Sequence, residues 1–222
     1  MLNAEEKLAQ FKPTKIHDFL YSCPQSRQTI ADIVSGDVVF PQSGKNGIVL
    51  YGAWGTGKSA LAKILPQAME ARRSDRDAFE RYEEIKPGNK GADMMARIDN
   101  QTDLNPFASH HYIVLDEVDL LSDLAMASLK SIMNKPKTIF IMTTNHVNKI
   151  DRGVINRSVL VDFNAAPDSD WVVQVRKVLA AFDISVNDDA LLLDIVRPCN
   201  GAARDIMFAT QRLISQLARK AA

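Results

Sequence analysis

The sequence predicts an α/β protein: an αβα sandwich around a parallel sheet, followed by a small helical lid. Three observations carry this. Short apolar runs at 47–51, 112–116, 138–143 and 158–163 are continuous rather than alternating, as strands buried on both faces are. The first run is followed by apolar residues at helical spacing, Leu61, Ile64 and Leu65. Beyond residue 164 the pattern becomes helical throughout. The expected division is therefore 1–164 for the sandwich and 165–222 for the lid.

The first strand opens the argument about chemistry. Residues 47–65 read GIVLYGAWGTGKSALAKIL. Gly52-x-x-x-x-Gly57-Lys58-Ser59 lies between a strand and a helix, which is the context the P-loop pattern requires. Glycines let consecutive backbone N–H groups turn towards an anion at the positive end of the new helix. The loop from Gly52 through Trp54, Gly55, Thr56 and Gly57 to Lys58, Ser59 and Ala60 is therefore expected to bind nucleotide. Lys58 would reach the β- and γ-phosphates of ATP, and the Ser59 hydroxyl would complete a Mg²⁺ shell. A glycine-rich turn with an incidental Lys-Ser would not need this spacing or these flanks.

The run at 112–119, YIVLDEVD, ends in acids, and ligands of parallel sheets bind at the carboxyl ends of strands. Asp116 is expected to hold Mg²⁺ through water, and Glu117 to orient and activate the attacking water. Asp119 reads as an N-cap for the helix that follows. The strand KTIFIMTTN ends in Asn145, an amide placed to bond a water or a γ-phosphate. Arg152 and Arg157 precede the last strand, where they can reach the nucleotide of a neighbouring subunit.

With these motifs in place, the chain resembles an AAA+ ATPase, and most closely the small subunits of sliding-clamp loaders, the replication factor C type and its phage counterparts. The resemblance runs from about Phe11 to Leu213. FKPTKIHDFL resembles the segment that covers the adenine. EIKPGNKGADMMARI occupies the place of the second strand, near 82–86, and its helix, which makes the sheet five-stranded. FIMTTNHVNKI resembles sensor 1, which implies that role for Asn145. INRSVLVDF resembles the Ser-Arg-Cys segment and implies an arginine-finger role for Arg157, with Arg152 its rival. CNGAARDIMFATQRL is similar to the sensor 2 helix and implies the arginine role for Arg204. Lys130 in SLKSIM stands where loaders often carry an arginine linked to DNA sensing, and DEVD replaces an alanine-bearing box. The resemblance ends before the loaders' collar domain, so no collar is expected. A ring is therefore expected to be held by the ATPase and lid modules or by a partner.

The resemblance implies a homo- or hetero-oligomer with ATP and Mg²⁺ at its interfaces, acting on DNA and a replication protein. A helicase loader or transposition regulator, and a non-hydrolysing adaptor subunit, remain alternatives. Lys plus Arg (27) equals Asp plus Glu (27), so DNA binding would require a local patch. No apolar run approaches a membrane span and no signal-peptide core is present, so no membrane contact and a cytoplasmic location are expected. Cys23 and Cys199 fit no metal or redox spacing and read as reduced thiols.

In the lid, Asp170 reads as an N-cap, and Trp171, Val175, Val178 and Leu179 as core. The charged stretch EARRSDRDAFERYEE reads as the solvated face of a helix. His110 and His111 lack metal-ligand spacing and read as structural.

Overall fold

The computed structural model describes residues 3–86, 88 and 91–221. Its centre is a five-stranded parallel sheet made of β1 (Gly47–Tyr51), β2 (Glu80–Glu84), β3 (His111–Asp116), β4 (Thr138–Thr144) and β5 (Ser158–Asp162), in the order β2-β3-β4-β1-β5. The expected sandwich is present. The three central strands are buried almost throughout, which explains why they read as unbroken apolar runs. The edge strand β2 reads ERYEE and has no such run. It lies two residues earlier than expected, with Glu84 opposite Asp116.

Nine helices complete the described chain: α1 (Ala4–Ala9), α2 (Pro24–Ser35), α3 (Lys58–Glu70), α4 (Ala92–Thr102), α5 (Asp123–Ile132), α6 (Arg152–Asn156), α7 (Asp168–Ala180), α8 (Asp189–Val196) and α9 (Ala203–Ala221). One face of the sheet packs against α3 through Leu61, Leu65 and Met69, all fully buried. Burying side chains of this size contributes about 1.5–3 kcal/mol each. The other face carries Ile98 of α4 with Ala125 and Leu129 of α5. Helices α7, α8 and α9 enclose a separate cluster of Trp171, Val175, Leu179, Leu192, Val196 and Ile206.

The buried Glu70 closes α3 onto the start of β3. It accepts from the Ser109 backbone N–H (2.9 Å) and from the Tyr112 phenol (2.8 Å). The charged stretch around it departs from the expected helix face. Helix α3 ends at Glu70, the chain turns through Arg73 and Ser74, and β2 begins at Glu80.

Both expected caps move as well. Ser122, not Asp119, caps α5 by accepting from the Ala125 N–H, because the DEVD segment first makes a 3-10 turn over Val118–Leu120. Helix α7 begins at Asp168 behind Pro167, which places Asp170 inside its first turn. Among the described residues, no helix is long and apolar enough to cross a membrane. Cys23 and Cys199 are unpaired thiols. His111 Nε2 donates to the Leu104 carbonyl (2.8 Å) and His110 bonds the Ser109 hydroxyl (2.8 Å), so both are engaged within the fold.

Candidate active site

Strand β1 ends at Tyr51, and the chain turns sharply because Gly52 adopts φ +150°. A Cβ there would stand 2.6 Å from the backbone of Phe163 and Asn164, so only glycine fits. Gly57, at φ +105°, occupies the cap position of α3 and aims the helix start back into the loop. Thr56 is buried and its hydroxyl donates to the Ala53 carbonyl (3.1 Å). Ser59 is half-buried and Ala60 exposed on the first turn.

Lys58 opens α3 and is 6% exposed. Its ammonium donates to the carbonyls of Gly52 (3.0 Å) and Ala53 (2.5 Å), closing the loop on itself. Burial lowers its pKa to about 8, a shift that the nearby Asp116, Asp119 and Glu117 oppose. An anion in the loop would take over the ammonium and hold it charged. Affinity for a nucleoside triphosphate is therefore expected to fall about tenfold from pH 7 to pH 9, as the free chain loses that proton. Titrations of bound nucleotide across this range check it. A flat profile would contradict the role given to Lys58.

The acids lie beside the loop, as parallel topology dictates. Asp116, buried at the end of β3, accepts from Ser59 Oγ (2.8 Å), from Thr143 Oγ1 and from Tyr82 Oη (2.6 Å). Glu117 follows in the left-handed region at φ +60°, an uncommon conformation for a non-glycine residue. Its N–H donates to Thr143 Oγ1 (3.1 Å). Burial, then Asp116, Asp119 and Glu84, raise its carboxyl above the usual carboxylate range. Asp119 accepts from Thr144 Oγ1 (2.7 Å), and Thr144 accepts in turn from the His146 N–H (2.8 Å). This pair fixes the turn that carries the half-buried Asn145 at the end of β4. Sequence reading missed Thr143 and Tyr82, since neither residue belongs to a recognisable spacing pattern.

Trp54 is 66% exposed on the outer side of the loop and meets His146 edge-to-face at 5.5 Å. Its side chain rims the site. The lid closes the opposite side: the N–H of Ala203, at the start of α9, donates to the Gly55 carbonyl (2.9 Å). Arg204, the next residue, is exposed in that first turn. Between lid and loop lies a pocket walled by Phe11, Phe19, Gly57, Trp171, Gln174 and Met207. The indole N–H of Trp171 is buried without a hydrogen-bond partner among the described residues.

Arg157 lies at the amino ends of the strands, where its carbonyl accepts from the N–H groups of Asn46 and Gly47 (3.0 Å each). The P-loop begins five residues along β1, about 16 Å away. The Arg157 side chain donates to Asn134 Oδ1 (3.1 Å) and the Gly153 carbonyl (2.9 Å). Arg152 is exposed at the start of α6. The structure thus brings Lys58, Ser59, Asp116, Glu117 and the end of β4 together and holds Arg157 at the opposite strand ends.

A phosphate-binding loop at the strand-to-helix turn after β1, with paired acids at the end of β3 one strand beyond β4, is the arrangement of the P-loop nucleoside triphosphatase class. The model for the ATPase family associated with various cellular activities (AAA) matches residues 48–163, just over half of the 222 residues. The chain belongs to that family. In fold it is similar to the Thermotoga maritima RuvB Holliday junction branch migration motor, with a TM-score of 0.72 at 15% identity over 96% of this chain and 68% of that one. C. elegans PCH-2 superposes with a TM-score of 0.56 at 14% identity, over 95% of this chain and 72% of its own. In sequence, Protein STICHEL-like 1 of Arabidopsis thaliana is 26% identical over 227 residues, 83% of this chain. The chain spans about a fifth of that protein's length.

Proposed function

We propose that the chain is a Mg²⁺-dependent ATPase that hydrolyses ATP at the subunit interfaces of an oligomer. The observation that carries this is the hydrogen bond between Ser59 and Asp116 (2.8 Å), which joins the phosphate-binding helix to the acid pair. Ser59 and, through water, Asp116 are the residues that would hold Mg²⁺, whose contribution is to neutralise phosphate charge. The backbone of the loop and Lys58 grip the phosphates. The base lies in the pocket beside Trp171, with the segment 11–20 over it. Glu117 takes a proton from the attacking water, Asn145 aligns that water, and Arg204 approaches the γ-phosphate from the lid. The units 1–164 and 165–222 act as the nucleotide-binding domain and its lid.

The same reading assigns the chain to a clamp-loader-like or remodelling factor acting on DNA with a replication protein. Two likenesses support a role on DNA. The sequence resembles clamp-loader subunits, and the fold resembles a branch migration motor. A helicase loader or transposition regulator would share the same chemistry and differ in its partner. A non-hydrolysing adaptor would have no use for Glu117 with a raised carboxyl.

A composite site makes activity depend on association. Phosphate release per chain is expected to rise with protein concentration and to vanish on chelating Mg²⁺. Release that is absent at every concentration, or unaffected by chelation, would refute the reading.

A further inference from the structure

Asp116 has a third partner beyond Ser59 of α3 and Thr143 of β4. One of its oxygens accepts from Ser59 and Thr143, and the other from Tyr82 Oη at 2.6 Å. Tyr82 is half-buried in the middle of the edge strand β2, opposite Val114. The ammonium of Lys63 lies 4.1 Å from the centre of its ring, a cation–π distance. Lys63 stands four residues after Ser59, on the same face of α3 one turn on. The helix that carries Lys58 and Ser59 therefore grips Asp116 twice, directly through Ser59 and indirectly through Lys63 and Tyr82.

A carboxylate bonded at one oxygen can still turn about its Cβ–Cγ bond. Bonds at both oxygens fix its plane. A phenol donating to a carboxylate is a charge-assisted bond and among the stronger ones available to the fold. The phenol oxygen takes no part in the pairing of β2 with β3, which runs through backbone groups.

We propose that Tyr82 is a positioning residue for the divalent cation: its hydroxyl sets the plane of Asp116 so that the other oxygen, shared with Ser59, faces the cation's shell. This rests on the ATPase reading above. Outer partners of metal-binding carboxylates typically contribute 10–100-fold in metal affinity.

The test is Mg²⁺ titration of the binding of a fluorescent ATP analogue to Tyr82→Phe, with parallel binding in EDTA. Phenylalanine keeps the ring against Lys63 and removes only the hydroxyl. The Mg²⁺ concentration at half-saturation is expected to rise about tenfold or more, while affinity in EDTA stays within about twofold of wild type. Lys63→Met should shift the Mg²⁺ titration in the same direction by less. An unchanged titration in Tyr82→Phe, with Ser59→Ala shifted, would overturn the proposal. So would equal losses with and without Mg²⁺, which would make the hydroxyl a prop of the fold. If the wild type itself bound nucleotide without regard to Mg²⁺, the ATPase reading would fail first and Tyr82's role with it.

Discussion

Glu117→Gln is expected to bind ATP within about twofold of wild type and to lose about 10²–10⁴ in turnover. The amide keeps the volume of the carboxyl and removes its capacity to accept a proton from water. The backbone conformation that aims it does not depend on the side chain: residue 117 sits at φ +60°, tethered by its N–H to Thr143. Lys58→Ala should do the opposite and remove binding itself, since Lys58 is the buried cation of the loop. Equilibrium binding with a non-hydrolysable analogue, beside single-turnover phosphate release, separates the two effects. Normal turnover in Glu117→Gln would move the catalytic role to another acid of the rim. Asp119 is the less suited, being already engaged by Thr144.

The second large effect concerns Arg157. Its removal is expected to leave nucleotide affinity intact and to lower turnover by about 10³–10⁵, the contribution typical of an arginine finger. Its own P-loop lies about 16 Å along the sheet, beyond the reach of a side chain anchored at the opposite strand ends. The side chain would have to leave Asn134 and the Gly153 carbonyl to enter a neighbour's site. Those are bonds to neutral groups, worth roughly 0.5–3 kcal/mol each, while a γ-phosphate offers a charged acceptor. Arg152 is exposed and has no such ties among the described residues, so it is the rival on the same segment. If Arg152→Ala lost the larger share of turnover, the finger would be Arg152.

The parts of this site that the sequence displayed are those whose chemistry demands a fixed spacing. The P-loop glycines answer to backbone sterics, and Gly52 admits no side chain at all. The central strands were visible because burial on both faces requires continuous apolar residues. Strand β2 was misplaced by two residues because it is nowhere fully buried, and its charged ERYEE sequence carries no apolar run and resembles a solvated helix. The expected cap at Asp119 failed for a related reason, whereas α7 starts behind Pro167 with no side-chain cap. Several nearby polar residues can cap a helix, and tertiary bonds decided among them: Thr144 engaged Asp119 and left Ser122 to cap α5. Tyr82 and Thr143 were invisible because they meet Asp116 from other strands, a proximity that only the sheet order creates. Trp54 was placed within the binding loop by position alone, and the fold turns it outward onto His146.

The central claim is that a complete catalytic site needs two chains, and mixing two inactive variants tests it most directly. Lys58→Ala cannot hold nucleotide but retains Arg157. Arg157→Ala holds nucleotide but supplies no finger. Each alone should release almost no phosphate from ATP. Mixed in equal amounts, they are expected to recover a substantial fraction of wild-type turnover, because the intact loop of one chain meets the arginine of the other. Mixed oligomers that demonstrably form and still release no phosphate would contradict the account.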